Sequence, residues 1–196
     1  MLSLYLGLAI FCFTANGMLF VSCIIAKVVG LDIETLKHFS DYHIWATARL
    51  NETLMQVSEQ DFIQDRGLFF NSILGTLNHM YVGETLWFAR FNQLEPPRWQ
   101  LNQMVLPNKM DLLLGLQEKT VQWQSFIETI PISILESDLR YRSSTGVEYC
   151  LPYGQTLLHV FNHATHHRGQ ITAALTQLGY ICPELDWVYM LVELKQ

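Results

Sequence analysis

Apolar residues along this 196-residue chain recur at helical spacing in four long stretches and alternate in one short one. The first stretch, LKHFSDYHIWATARLNETL, places Leu36, Phe39, Ile44, Ala48 and Leu54 on one side of a helix running to about Met55. Asp32 stands where its carboxylate can cap the amides of Glu34 and Thr35. Residues 56–66 are polar and read as a loop. A second helix is predicted from about Gly67 to Asn92, through FFNSILGTLNHMYVGETLWFARF. Leu94 to Pro107, with Pro96-Pro97, cannot continue it. Asn108 or Asp111 caps a third helix, KMDLLLGLQEKTVQWQSFIETI, which Pro131 ends. In LRYRSSTGVEYCLPY two alternating runs flank Ser144-Thr145-Gly146, the pattern of a β-hairpin. The fourth helix begins near Gly154 or Gln155 and closes at Gly179, a natural residue just past a helix end. After it, Pro183, Asp186 and Trp187 open a tail, ending in VYMLVEL, that packs back. Residues 31–196 therefore read as one all-α domain, a four-helix bundle with a short β-hairpin before the last long helix.

Residues 1–30 have a different pattern. Met1 to Ala26 carries no charged side chain, and Lys27 is the first. That length can span a bilayer, and three readings compete. A membrane anchor is interrupted by Asn16 and Gly17. A secretory signal lacks its basic start. A start placed too far upstream would put translation at Met18 or later. The bundle is accordingly expected in the cytoplasm, tethered to a membrane if residues 1–26 are an anchor.

Composition narrows the partners. Net charge is −6 and no Lys/Arg cluster occurs, which argues against nucleic acid. The four cysteines, Cys12, Cys23, Cys150 and Cys182, make no C-x-x-C pair and no disulfide-dense pattern.

The fourth helix concentrates the chemistry. His159, His163, His166 and His167 lie within little more than two turns. On a wheel of roughly 100° per residue with His163 at zero, the apolar stripe spans about 20° to 120°. His167 falls inside it near ~40° and His163 at its edge, whereas His159 and His166 fall on the polar side near ~−40° and ~−60°. Two imidazoles at i and i+4 can ligate one metal ion from a single helix. A third ligand must come from elsewhere, and bundles build metal sites across facing helices. The second helix offers His79, its only histidine, with Thr76, Gly83, Leu86, Trp87 and Arg90 on the same side. Gly75 and Gly83 flank His79, and two helical glycines at roughly 1 kcal/mol each imply either open volume or close helix packing around it.

LNHMYVGETLWFARF, YRSSTGVEY, HVFNHATHHRGQITAALTQLGY and PELDWVYML together make the chain resemble the DinB-like family of metal-binding four-helix bundles, over about Leu31 to Leu194. The NHATHHRGQI segment is its strongest element. The chain departs in having Tyr42-His43 where the family often has Tyr-Asn, and in its apolar leader. The resemblance implies a divalent metal on one histidine of the second helix and two of the last, here His79, His163 and His167. Three neutral imidazoles leave positions for water or substrate, as catalytic sites do. Zinc is the expected occupant, with nickel or iron as alternatives. Several members use this site for low-molecular-weight thiol chemistry, S-transfer or isomerisation, with the metal activating the thiol.

The expected function is thus a metal-dependent enzyme acting on a small-molecule substrate with a thiol co-substrate, with a second copy in a homodimer as the expected protein partner. Tyr42, Trp45, Glu84 and Arg168 are candidates for supporting the metal ligands or binding substrate, with Tyr42, Glu84 and Arg168 the catalytic candidates. Arg168 fits a structural ion pair at least as well as an anion-binding role. The alternative is a non-enzymatic bundle, stress-related in role, whose metal contributes stability alone.

Overall fold

The computed structural model describes residues 31–143 and 145–195. The apolar leader, and with it all three readings of residues 1–30, lies outside them. No helix among the described residues is long and apolar enough to cross a membrane.

Four long helices form the bundle: α1 (Ile33–Gln56), α3 (Ile73–Phe91), α4 (Lys109–Thr129) and α5 (Tyr153–Gln177). Around the bundle α1 packs on α4, α4 on α3, α3 on α5, and α5 on α1. Helices α1 and α3 are therefore diagonal, and so are α4 and α5. The hairpin pairs β1 (Asp138–Arg142) with β2 (Glu148–Pro152), antiparallel, with Arg140 opposite Cys150. A 3₁₀ turn, Ile132–Glu136, links α4 to β1, and a short α6 (Trp187–Glu193) closes the chain.

Caps explain most boundaries. Asp32 accepts the Thr35 amide at 2.7 Å. Asn108, rather than Asp111, caps α4, accepting the Asp111 amide at 3.1 Å. Helix α5 starts at Tyr153, directly off β2 and slightly ahead of the predicted Gly154. It ends in a Schellman motif: Gly179 has φ +81°, its amide reaches the Thr176 carbonyl, and the Tyr180 amide reaches Leu175.

Two boundaries differ from the sequence reading. The polar stretch 56–66 contains a one-turn helix, α2 (Glu59–Ile63), capped by Ser58. The second long helix starts at Ile73 and not near Gly67. Residues 67–71 instead form a tight turn with Gly67 and Asn71 at positive φ, closed by the Asn71 amide on the Leu68 carbonyl, and Ser72 caps the helix. Apolar periodicity runs on through Phe69 and Phe70, so pattern alone could not see the break.

The core has two apolar halves. One gathers Leu50, Leu54, Phe62, Leu77, Leu116 and Ile171. The other gathers Leu36, Phe91, Trp123, Ile127, Leu157 and Phe161. Buried polar side chains, His43, His79, Glu84, His167 and Arg168 among them, lie on the same long helices. The tail packs back as predicted: Met190 sits against Tyr42 and Ala46, Tyr42 Oη donates to the Leu185 carbonyl at 2.8 Å, and Trp45 Nε1 donates to Glu193 Oε2 at 2.8 Å.

Candidate metal centre

His79 on α3 and His163 and His167 on α5 come together at the seam between those helices. One ring nitrogen from each lies within 4.8 Å of the others. His79 and His167 are buried and His163 is half-buried, while His159 and His166 are exposed, as the wheel placed them.

Hydrogen bonds fix the tautomers. His79 Nδ1 lies 2.8 Å from the Leu101 carbonyl, and His167 Nδ1 lies 2.7 Å from Gln170 Oε1. Both are acceptors, so both rings carry Nδ1–H and turn bare Nε2 lone pairs inward. Each Nε2 stands 3.1 Å from His163 Nε2, which has at most one proton to give. Three nitrogens therefore converge where one hydrogen bond at best can form. A divalent cation between them would accept all three lone pairs, and the outer nitrogens already have the hydrogen-bond partners that orient metal-ligating imidazoles. The donor set fits a metal.

Electrostatics point the same way. Burial, reinforced by the neighbouring imidazoles, depresses His163 to about 3. Burial depresses His167 to about 4 against the opposing pull of its Gln170 bond, and it lowers His79 against the Leu101 bond. All three rings stay neutral at neutral pH, the form that binds metal.

Several supporting residues were not found from the sequence. Asn78 is buried beside His79, and its side chain pins the segment between α3 and α4. Its Oδ1 accepts the Val105 and Leu106 amides at 2.9 and 2.8 Å, and its Nδ2 donates to the Leu106 carbonyl at 2.9 Å. That clamp holds the segment whose Leu101 carbonyl meets His79. Phe70, from the turn before α3, stacks on His79 with centroids 3.8 Å apart. Gln170 had a readable signal, since i+3 from His167 on a helix places it beside that ring. Phe70 and Leu101 had none, because only the folded loops bring them in.

The glycines beside His79 have separate reasons. A Cβ on Gly75 would stand 2.1 Å from the Phe70 carbonyl, so the tight turn requires glycine there. A Cβ on Gly83 would meet His163 Cε1 at 3.5 Å, ordinary contact, so Gly83 borders the imidazole cluster.

The other candidates lie elsewhere. Glu84 and Arg168 belong to a second buried cluster, with one side chain from each bundle helix. Arg168 Nη1 donates to His43 Nδ1 at 3.0 Å, His43 Nε2 lies 3.0 Å from Glu84 Oε1 but off hydrogen-bond alignment, and Trp123 Nε1 donates to Glu84 Oε2. Tyr42 and Trp45 lie beneath the tail, with Tyr42 stacked on Trp187 at 5.7 Å. None of the four is among the three converging imidazoles.

A bundle with this seam defines a class of helical proteins with a three-histidine centre, and comparison with known proteins identifies it. The profile of the DinB family matches residues 33–193, and the chain belongs to that family. Protein DinB of Bacillus subtilis (strain 168) is 27% identical over 156 residues, covering 75% of this chain and 88% of its own. YfiT from Bacillus subtilis, described as a probable metal-dependent hydrolase with an unusual four-helix bundle topology, superposes with a TM-score of 0.61 at 14% identity, over 78% of this chain and 93% of YfiT. A conserved protein of Enterococcus faecalis gives 0.58 at 16% identity, over 74% and 95%. These two structures share the fold.

Proposed function

We propose that His79, His163 and His167 hold a divalent metal ion and that the protein is a metal-dependent enzyme acting on a small molecule. One observation carries this reading: three Nε2 atoms converge while the outward Nδ1 atoms of two rings are hydrogen-bonded. Three imidazoles leave coordination positions open, and His163 keeps access to solvent. When bound, a divalent ion there would lower the pKa of a coordinated nucleophile.

The protein's own groups do the positioning. Leu101 and Gln170 hold the tautomers, Phe70 covers one face of His79, and Asn78 keeps the Leu101 segment in place. A low-molecular-weight thiol is the nucleophile that the family resemblance favours. Water is the competing one, supported by the description of YfiT as a probable metal-dependent hydrolase. Zinc suits a three-imidazole site, and nickel and iron also accept imidazole.

The test is elemental analysis of protein purified without a His tag, followed by parallel screens for thiol conjugation and ester or amide hydrolysis. One bound metal per chain and chelator-sensitive turnover in one screen support the enzyme. His79→Ala protein that keeps its cooperative melting but loses metal and turnover supports it further. If removing the metal abolishes the melting transition and neither screen shows turnover, the ion is structural.

A further inference from the structure

Helix α3 carries His79, Gly83, Trp87 and Arg90 along one side, and the eleven steps from His79 to Arg90 span about 16 Å of helix. At the far end, a cleft of about 970 Å³ opens between residues 93–100 and β1. That is the size of small-molecule sites, roughly 300–1,000 Å³.

Arg90 lies in the cleft wall. Its guanidinium rests 4.6 Å from the Trp87 ring centroid and 4.7 Å from that of Tyr141, and the two rings meet edge to face at 5.2 Å. This triangle fixes the cation without neutralising it. Among the described residues no hydrogen bond or ion pair reaches the guanidinium, and its Nε is shut from solvent. Comparably shielded cations are served differently: Arg66 has Asp61, and Arg168 has His43 and Thr165. The Arg90 Nη groups stay open to solvent, so they keep N–H donors that an anion entering the cleft can take over from water.

The surroundings suit an anion with an apolar body. Arg98, Arg140 and Arg142 also line the cleft, against Glu95 and Asp138, a cationic excess in a chain whose net charge is −6. Glu148 engages Arg142 at 2.6 Å. Leu86, Phe91, Leu139 and Trp99 supply apolar and aromatic wall.

We propose that this cleft binds a small organic oxyanion, a carboxylate or phosphate ester with an apolar or aromatic body, whose anionic end docks on Arg90. The guanidinium offers paired N–H donors in a rigid fork that matches two oxygens of either group. The site does not depend on metal at the histidines.

The test titrates benzoate and phenyl phosphate into the full chain and follows the Trp87 and Trp99 indole resonances by NMR. Saturable shifts at both indoles are expected. Arg90→Gln should weaken binding about tenfold or more. Arg90→Lys, which keeps charge but loses the fork, should fall between, and it carries the test if the glutamine variant does not fold. Arg49→Gln, at an ion pair with Glu193 remote from the cleft wall, should bind as the parent does. Tighter binding of one probe assigns the carboxylate or the phosphate. No saturable shift with either probe, or parental affinity in Arg90→Gln, overturns the proposal. His79→Ala keeps this reading apart from the metal: unchanged anion binding there supports the cleft, whereas lost binding would move the probe to the three-histidine centre and overturn it.

Discussion

Two buried polar clusters share the long helices of this bundle and are built on opposite principles. The cluster of His43, Glu84, Trp123 and Arg168 takes one side chain from each long helix and contains its own cation, anion and donors. The cluster of His79, His163 and His167 contains three like groups, two of which turn lone pairs at the third. The first carries charges of both signs within the fold, with His43 Nε2 and Arg168 Nε its atoms left without a hydrogen-bond partner. The second has more lone pairs than protons to meet them, a deficit that the proposed divalent ion would make good. Adjacent residues feed the two: Gly83 borders His163 while Glu84 faces the bundle axis, and His167 turns to the seam while Arg168 turns inward. A step of about 100° along a helix is enough to separate a buried charge from a proposed metal ligand.

The largest effect is expected where the first cluster is broken. Arg168 is 2% exposed, and Arg168→Met leaves Glu84 and His43 buried without their cation. Breaking a buried charged set costs about 3–5 kcal/mol. Chemical denaturation of metal-free protein measures it, and a loss under about 1 kcal/mol would mean this cluster does not hold the four helices together.

His163→Ala should do the reverse. It removes the imidazole to which both other Nε2 atoms point, so metal binding should collapse. The metal-free protein should change by about 1 kcal/mol or less, since the substitution also removes a crowded set of lone pairs. Metal content and denaturation on the same sample check both halves. A metal-free His163→Ala protein destabilised as severely as Arg168→Met would erase the contrast between the clusters.

Acid titration sharpens it next. Histidines depressed in the fold, His163 to about 3 and His167 to about 4, are neutral there while the unfolded chain protonates near about 6.5. Between those limits the unfolded state binds more protons, so metal-free stability is full above about 6.5 and declines as pH falls towards about 3. Metal release lies lower still, because protons must displace a bound ion from rings that already resist protonation. On model imidazole values alone, release would be expected near about 6.5. The fold moves its midpoint below that, and elemental analysis across a pH series tests the shift. A midpoint at or above about 6.5 would contradict the burial argument.

Gln170→Ala sharpens the comparison further. The substitution frees His167 Nδ1 from its 2.7 Å partner and with it the tautomer. Loss of such a supporting partner typically weakens metal binding about 10–100-fold. Competition with a chelator of known affinity reads the change.

How much of this was legible in the sequence follows from the same geometry. Helical periodicity reports which way a side chain points on its own helix, so the four helices were readable, and so was the division of the α5 histidines into inward and outward pairs. It says nothing of loops folding back over a helix. Phe70 and the Leu101 carbonyl therefore reach His79 only through the folded loops, and the turn at residues 67–71 carries the same apolar spacing as the helix it precedes. Nor could it pair His43 with Arg168, 125 positions apart. The sequence offers a structural ion pair for Arg168 as well as an anion-binding role but names no partner, and only the packed bundle brings it to His43.

The smallest effects are expected at His159 and His166. Both are exposed, and His159 sits one turn before His163 on α5, its ring 5.5 Å from that of His163 and edge-on to Trp87 at 5.5 Å. Burial lowers its pKa too, so it is neutral and chemically able to ligate. What argues against ligation is position: the converging nitrogens within 4.8 Å belong to His79, His163 and His167. His159→Ala and His166→Ala should keep full metal content and change stability by about 0.5 kcal/mol or less. His159→Ala is the more telling of the two. Loss of metal there would make the centre a four-imidazole site, and a zinc ion with four protein ligands is closed to substrate. The histidine cluster would then be structural like its neighbour, and the contrast between the two clusters would lie in what completes them and not in what they do.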